Sequence, residues 1–160
     1  MQPVQNLPEY QTLNNGVVLA FNKSTDEEVF GLFCVPGDYD DGTDLKFHIH
    51  WAPDIASTDT VTWGLEYLIL TSDNDEQLTG STTTAIVTDD AQNLAEELLQ
   101  TGDITISGTG VVSGDVIQFR IFRDADASES GADDDFDDDA FLVAAHIVYM
   151  SDAVGGDSQW

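Results

Sequence analysis

Along most of the chain apolar residues recur at every second position. Val17, Leu19 and Phe21 alternate in GVVLAFN, Leu45, Phe47, Ile49 and Trp51 in DLKFHIHWA, and Val61, Trp63, Leu65, Tyr67 and Ile69 in DTVTWGLEYLIL. A period of two sends successive side chains to opposite faces of an extended strand, so each segment predicts a strand with one buried face. EVFGLFCV, VIQFRIF and AFLVAAHIVYM are apolar on both faces, which predicts central strands, or strands whose second face is covered by another subunit. STTTAIVT and DITISG supply two more, giving about eight strands in all.

Turn chemistry separates these segments: PGDYDDGTD after the second, SDNDEQ after the fourth, GTGVVSGD before the seventh and an acidic stretch before the eighth. The spacing is that of an all-β sandwich. One segment has a helical option, DDAQNLAEELLQ, with Asp90 as N-cap and Leu94, Leu98 and Leu99 at helical spacing. A strand containing Leu94, Glu96 and Leu98 fits it nearly as well. No repeat or linker divides the chain, and 160 residues suffice for one core. The predicted organisation is an N-terminal arm over residues 1–15, a β-sandwich of antiparallel strands over 16–151 and a C-terminal tail over 152–160.

Charge changes the picture more than composition does. The apolar share is an ordinary 41%, but 31 Asp and Glu face only four basic residues, Lys23, Lys46, Arg120 and Arg123, for a net charge of −27. Such a surface is repelled by phosphate backbones and anionic membranes, which excludes nucleic acid as a direct partner and argues against a membrane one. Acids are spread along the whole sequence, a pattern that resembles proteins of extreme halophiles. At molar salt the screening length falls to about 3 Å, so repulsion that opposes the compact state is largely suppressed. Folding is therefore expected to depend on salt. The lone Cys34 lies in VFGLFCV, where a buried structural thiol is expected and an internal disulfide is impossible. The start, MQPVQNLPEY, has no basic and apolar leader pattern, and no apolar run approaches a membrane span; the expectation is an unprocessed, soluble protein made inside the cell.

Three patterns carry candidate chemistry. Arg123 to Leu142, RDADASESGADDDFDDDAFL, holds nine acids in twenty positions. Asp124, Asp126 and Ser128 fall at positions 1, 3 and 5 of a calcium loop and Asp135 at position 12, but Glu129 stands where the loop needs Gly. A hydrated, hairpin-like connection is the expected reading. Gly42, His48, His50 and Asp54 partly match the first metal motif of cupins, and two histidines two apart on a strand do share a face. The second cupin motif is absent, and the only nearby carboxylates, Asp44 and Asp54, lie beyond the strand core. His48 and His50 are thus expected to hold no functional metal. No Gly-x-Ser-x-Gly elbow or phosphate loop occurs, so no catalytic residue and no cofactor is predicted. Trp51, Trp63, Tyr67, Phe119 and Phe122 have the option of a sugar platform, but at strand spacing such residues are core.

Two longer signatures carry a resemblance. The first is VVLAFNKSTDEEVFGLFCVPGDYDDGTDLKFHIHWAP followed by VTWGLEY; the second is SGDVIQFRIFRDAD, an acidic connection, then DDAFLVAAHIVYM. Over residues 16–151 the chain resembles the small jelly-roll proteins that decorate capsids of tailed viruses. The resemblance implies a jelly-roll-like sandwich and a structural virion protein, not an enzyme. It implies a homotrimer on the outside of an icosahedral shell, contacting the major capsid protein and other virion surface proteins; the acidity adds a host that is an extreme halophile. Docking is expected through the least acidic segment, MQPVQNLPEYQTLNNG, with Val4, Leu7, Tyr10 and Leu13 as anchors. A carbohydrate-binding or receptor-binding sandwich and a cupin-like metalloenzyme stand as alternatives.

Overall fold

The computed structural model describes residues 6–71, 77–129, 131–132 and 134–152. It is an all-β sandwich of two antiparallel sheets built from ten strands: β1 (Glu9–Leu13), β2 (Gly16–Phe21), β3 (Glu27–Cys34), β4 (Leu45–Pro53), β5 (Thr60–Leu70), β6 (Thr83–Asp90), β7 (Leu99–Gln100), β8 (Ile104–Ile106), β9 (Val116–Arg123) and β10 (Ala140–Val148). The larger sheet runs β1-β2-β10-β4-β7, with β8 also paired to β4; the smaller runs β3-β9-β5-β6. Apart from the β1–β2 hairpin, strands of the first and second halves of the chain alternate in both sheets, and most contacts join residues far apart in sequence.

The alternating segments form strands because the second sheet buries one face of each. Phe21, Leu45, Phe47, Ile49 and Trp51 of the larger sheet meet Val61, Trp63, Leu65, Ile117 and Ile121 of the smaller one, all buried in a single cluster. Fully burying an aliphatic or aromatic side chain contributes roughly 1.5–3 kcal/mol, which makes this layer the main source of stability. A polar strut crosses it: the Trp51 indole donates to Asp89 Oδ2 at 2.7 Å. Gly64, in the middle of β5, faces the other way. A Cβ there would collide with the Phe122 ring on β9, so glycine lets that ring lie flat on the strand.

Several expectations are corrected. The residues expected as an arm include β1, whose Glu9–Leu13 pair in register with Gly16–Ala20 of β2. The two-residue Asn14–Asn15 turn between them needs a left-handed residue, and Asn14 supplies it at φ 50°. Of the proposed anchors, Tyr10 and Leu13 thus belong to a sheet, and Val4 lies outside the described residues. DDAQNLAEELLQ forms neither a helix nor the strand containing Leu94, Glu96 and Leu98. Asn93 and Glu96 both take positive φ, which breaks either regular form, and Leu94 and Leu98 are exposed. Cys34 is exposed, not buried. It shares the outward face of β3 with Phe30 and Leu32, while Val35, just past the strand, turns inward. β3 itself lies at the edge of its sheet, not at its centre.

Replacing Gly64 with alanine should destabilise the protein by about 1–3 kcal/mol, because the Phe122 ring is already packed onto the backbone. Denaturant melts in high salt check this; a change below a few tenths of a kcal/mol would mean the ring is free to move aside.

Candidate functional sites

The acidic segment after β9 is organised by Arg123, whose side chain is fully buried. Its Nε and Nη2 donate to Asp134 Oδ2 and Oδ1 at 2.9 and 2.8 Å, its Nη2 to the Phe136 carbonyl at 2.7 Å, and its Nη1 to the carbonyls of Phe21 and Asp138 at 3.1 and 2.7 Å. The guanidinium also lies 5.7 Å from the centre of the buried Phe136 ring. Asp134 and Asp135 in turn accept from the Thr62 and Thr60 amides of β5. The connection is therefore anchored in the core at Asp124, Asp134 and Phe136, while Asp126, Ser128, Glu129, Asp135 and Asp137 stay exposed to solvent. It is not a hairpin in topology, since β9 and β10 sit in different sheets.

Two of the residues considered for a calcium loop do come together, but not with Asp135. The carboxylates of Asp124 and Asp126 gather with that of Asp26, from the loop before β3, their oxygens within 4.8 Å of one another. The loop engages them: Asp26 accepts from the Ala125 amide and the Ser128 hydroxyl, Asp126 from the Ser128 amide, and Asp124 from the Glu129 amide. Asp26 came from outside the motif, and no local spacing pointed to it.

All three histidines of the chain meet on the outer face of the larger sheet. The register places His146 of β10 directly opposite His48 of β4, with His50 two residues along. The His50 Nε2 and His146 Nδ1 atoms are 2.8 Å apart, one donating and the other accepting. The His48 and His146 rings stack with centroids 4.9 Å apart, and His50 and His146 lie at 4.8 Å. His48 is buried, with Nε2 at 3.4 Å from Asp103 Oδ1 and Nδ1 near the Thr101 carbonyl and the Gln100 amide. Desolvation and the neighbouring His48 and His50 push His146 below the ordinary imidazole value. Asp54, the carboxylate of the cupin-like pattern, follows the end of β4, where its amide donates to the Asp139 carbonyl. The candidate sugar platform does not exist as an exposed face: Trp51, Trp63 and Tyr67 are buried between the sheets with Phe119 packed against them, and Phe122, on the outer face of the smaller sheet, is covered by Arg120.

The outer face of the smaller sheet is the third site. Arg120 of β9 pairs with Glu28 and Glu129 at 2.6 and 2.9 Å and with Glu66, and it stacks 4.5 Å above the Phe122 ring. Burial favours the neutral form of Glu66, but hydrogen bonds from Thr82 and Arg120 outweigh it and hold the carboxyl below its ordinary value. Beside this charged knot a shallow depression is lined by Phe30, Leu68, Leu78, Gln118 and Phe119. Comparison of the chain with family models, with curated proteins and with solved structures finds no match.

Crowding of like charge makes a pH signature. Burial raises Asp26, Glu27, Asp54, Asp89 and Asp139 above the ordinary carboxylate range, and neighbouring carboxylates add to it. The folded state then binds protons on these groups more tightly than the unfolded chain, so stability rises as pH falls through their raised values. Glu66 has the opposite sign, and its contribution is lost only below the ordinary range. In dilute salt the raised carboxylates should therefore raise the melting temperature as pH falls from neutral towards their raised values, against the smaller opposite contribution of His146, whose lowered value removes stability as pH falls through the ordinary imidazole value; at still lower pH the melting temperature should fall again. The rise should shrink in molar salt, where carboxylate repulsion is screened. A melting temperature that falls steadily from neutral pH would contradict this.

Proposed function

We propose that the protein is a structural component of a virion, a trimeric decoration protein that binds the outside of an icosahedral shell and is adapted to high salt. The observation that carries the reading is the outer face of the smaller sheet. Phe30 and Leu32 on the edge strand β3, and Leu78 beside them, are 53%, 69% and 71% exposed in a chain of net charge −27. Salting-out conditions make such apolar exposure still more costly, so a surface of this kind fits a protein that works covered by a partner. β3 is also the edge strand of its sheet, where a partner's backbone can pair beside these side chains.

Other features support the same reading. The interleaving of strands as β2-β10-β4-β8 in one sheet and β3-β9-β5-β6 in the other favours a double-sheet jelly roll. With both arginines and Lys23 already engaged by carboxylates of the same chain, few cations remain for a partner. Contacts with the major capsid protein and between copies would then be mainly apolar and hydrogen-bonded. Leu7, Tyr10 and Val17 form a second exposed apolar strip on and beside the β1–β2 hairpin, which keeps that end as a docking candidate in an ordered form. No catalytic residue and no glycan site enters the proposal.

The test is to purify virus particles in high salt and ask whether the protein is present in a fixed copy number. Phe30→Asp/Leu32→Asp, two exposed changes that should leave the melting temperature within a few degrees, should abolish either trimer formation or attachment to stripped particles. Full attachment and an unchanged native mass would remove this face from the account, and absence from the particles would remove the virion reading.

A further inference from the structure

We propose that His48, His50, His146 and Asp103 form a binding site for one divalent transition-metal ion of the zinc class on the outer face of the larger sheet. The expectation that His48 and His50 hold no metal weighed only Asp44 and Asp54 as further ligands. The sheet register supplies a third histidine 96 residues from His50, and the connection between β7 and β8 supplies the carboxylate of Asp103. This inference is independent of the virion reading.

The geometry follows from the strands. His48 and His50 project from one side of β4, and His146 projects from the same side of its hydrogen-bonded neighbour. A strand pair of this kind presents three imidazoles to one point above the sheet. Nitrogen and oxygen ligands at about 2.0–2.1 Å from a tetrahedral zinc lie roughly 3.3 Å from each other. Two ligand pairs are already near that separation: His50 Nε2 to His146 Nδ1 at 2.8 Å and His48 Nε2 to Asp103 Oδ1 at 3.4 Å. The four ligand atoms do not yet converge, because the His146 ring is stacked on that of His48; closing the site requires the exposed His146 ring to leave the stack and, with half-buried His50, to turn toward the His48–Asp103 pair.

The surroundings of His48 suit a ligand. Its Nδ1 lies 3.5 Å from the Thr101 carbonyl and 3.1 Å from the Gln100 side-chain amide. A hydrogen on Nδ1 donated to these oxygens, with the Gln100 amide turned accordingly, leaves the Nε2 lone pair for the ion. Thr101 is itself fixed, because its amide donates to the Ile49 carbonyl at 3.0 Å and its hydroxyl accepts from the Ile49 amide at 3.2 Å. Imidazole selects borderline ions, so the hard cations of brine, which prefer oxygen, compete poorly here even though they crowd the acidic surface. The bound ion would tie β4 to β10 and to the β7–β8 connection.

The experiment is calorimetric titration of the full chain, stripped with chelator and held in high salt with excess magnesium to occupy carboxylates, using zinc chloride. One equivalent should bind per chain and raise the melting temperature, and cobalt(II) in its place should give the visible absorption of a tetrahedral site. His146→Ala, an exposed change that should fold normally without metal, should weaken zinc at least tenfold and remove both the absorption and the thermal shift; Asp103→Asn should weaken it less. Failure to saturate at one equivalent overturns the proposal. So does zinc binding that is unchanged in His146→Ala, which would place the ion on the carboxylates.

Discussion

A fully buried guanidinium ties the two sheets and the acidic connection into one body. Arg123 ends β9 in the smaller sheet, and its partners are the Phe21 carbonyl at the end of β2 in the larger sheet and Asp134, Phe136 and Asp138 of the connection to β10. Taking this charge out of water would cost several kcal/mol if any part were left unpaired. The forked hydrogen bonds to Asp134 and three carbonyls meet that cost, and they do so only if the connection takes one path. Phe136 is thereby carried into the core against Trp51, at 6.4 Å between ring centroids. The segment with the most negative charge is thus also one with a buried aromatic anchor.

The scarcity of cations makes their placement informative. Arg120 and Arg123 lie on opposite faces of the same strand, one collecting Glu28, Glu66 and Glu129 on the outside and the other Asp134 on the inside. Lys23 pairs with Asp137 at 2.7 Å at the far end of the same connection. Most of the carboxylates have no such partner to oppose their mutual repulsion. Screening by salt is the physical substitute, and the fold concentrates its few internal charges where the chain must cross between sheets.

Period-two alternation made β2, β4 and β5 legible because the face against the other sheet carries the large apolar side chains, while the outer face, though partly buried at Val18, Ala20, Ala52 and Thr62, carries smaller or polar ones. β1 was not legible: EYQTL has no fully buried residue, and hairpin hydrogen bonds, the Asn14 turn and the packing of Leu13 on Val18, Ala20, Ala52 and Phe141 hold it. Leu94 and Leu98 imitated a helix, but positive φ at Asn93 and Glu96 is invisible to spacing. The exposure of Cys34 was readable in principle, since strand parity with Val29 and Phe33 inward sends it outward; the local apolar run obscured this. The histidine cluster and the meeting of Asp26 with Asp124 depend on pairings between distant segments, which no local pattern encodes.

Amide hydrogen exchange tests most directly whether the acidic connection is anchored in the core. The amides of Thr60, Thr62, Asp124, Asp135 and Phe136 donate to partners across the β5–connection contact. In high salt the account predicts that they are protected to nearly the degree of the β5 and β9 strand amides, and that Arg123→Met or Asp134→Asn lowers their protection together. Exchange of the connection at the rate of an open coil, with β5 and β9 still protected, would show that the buried arginine does not organise it and would contradict the account.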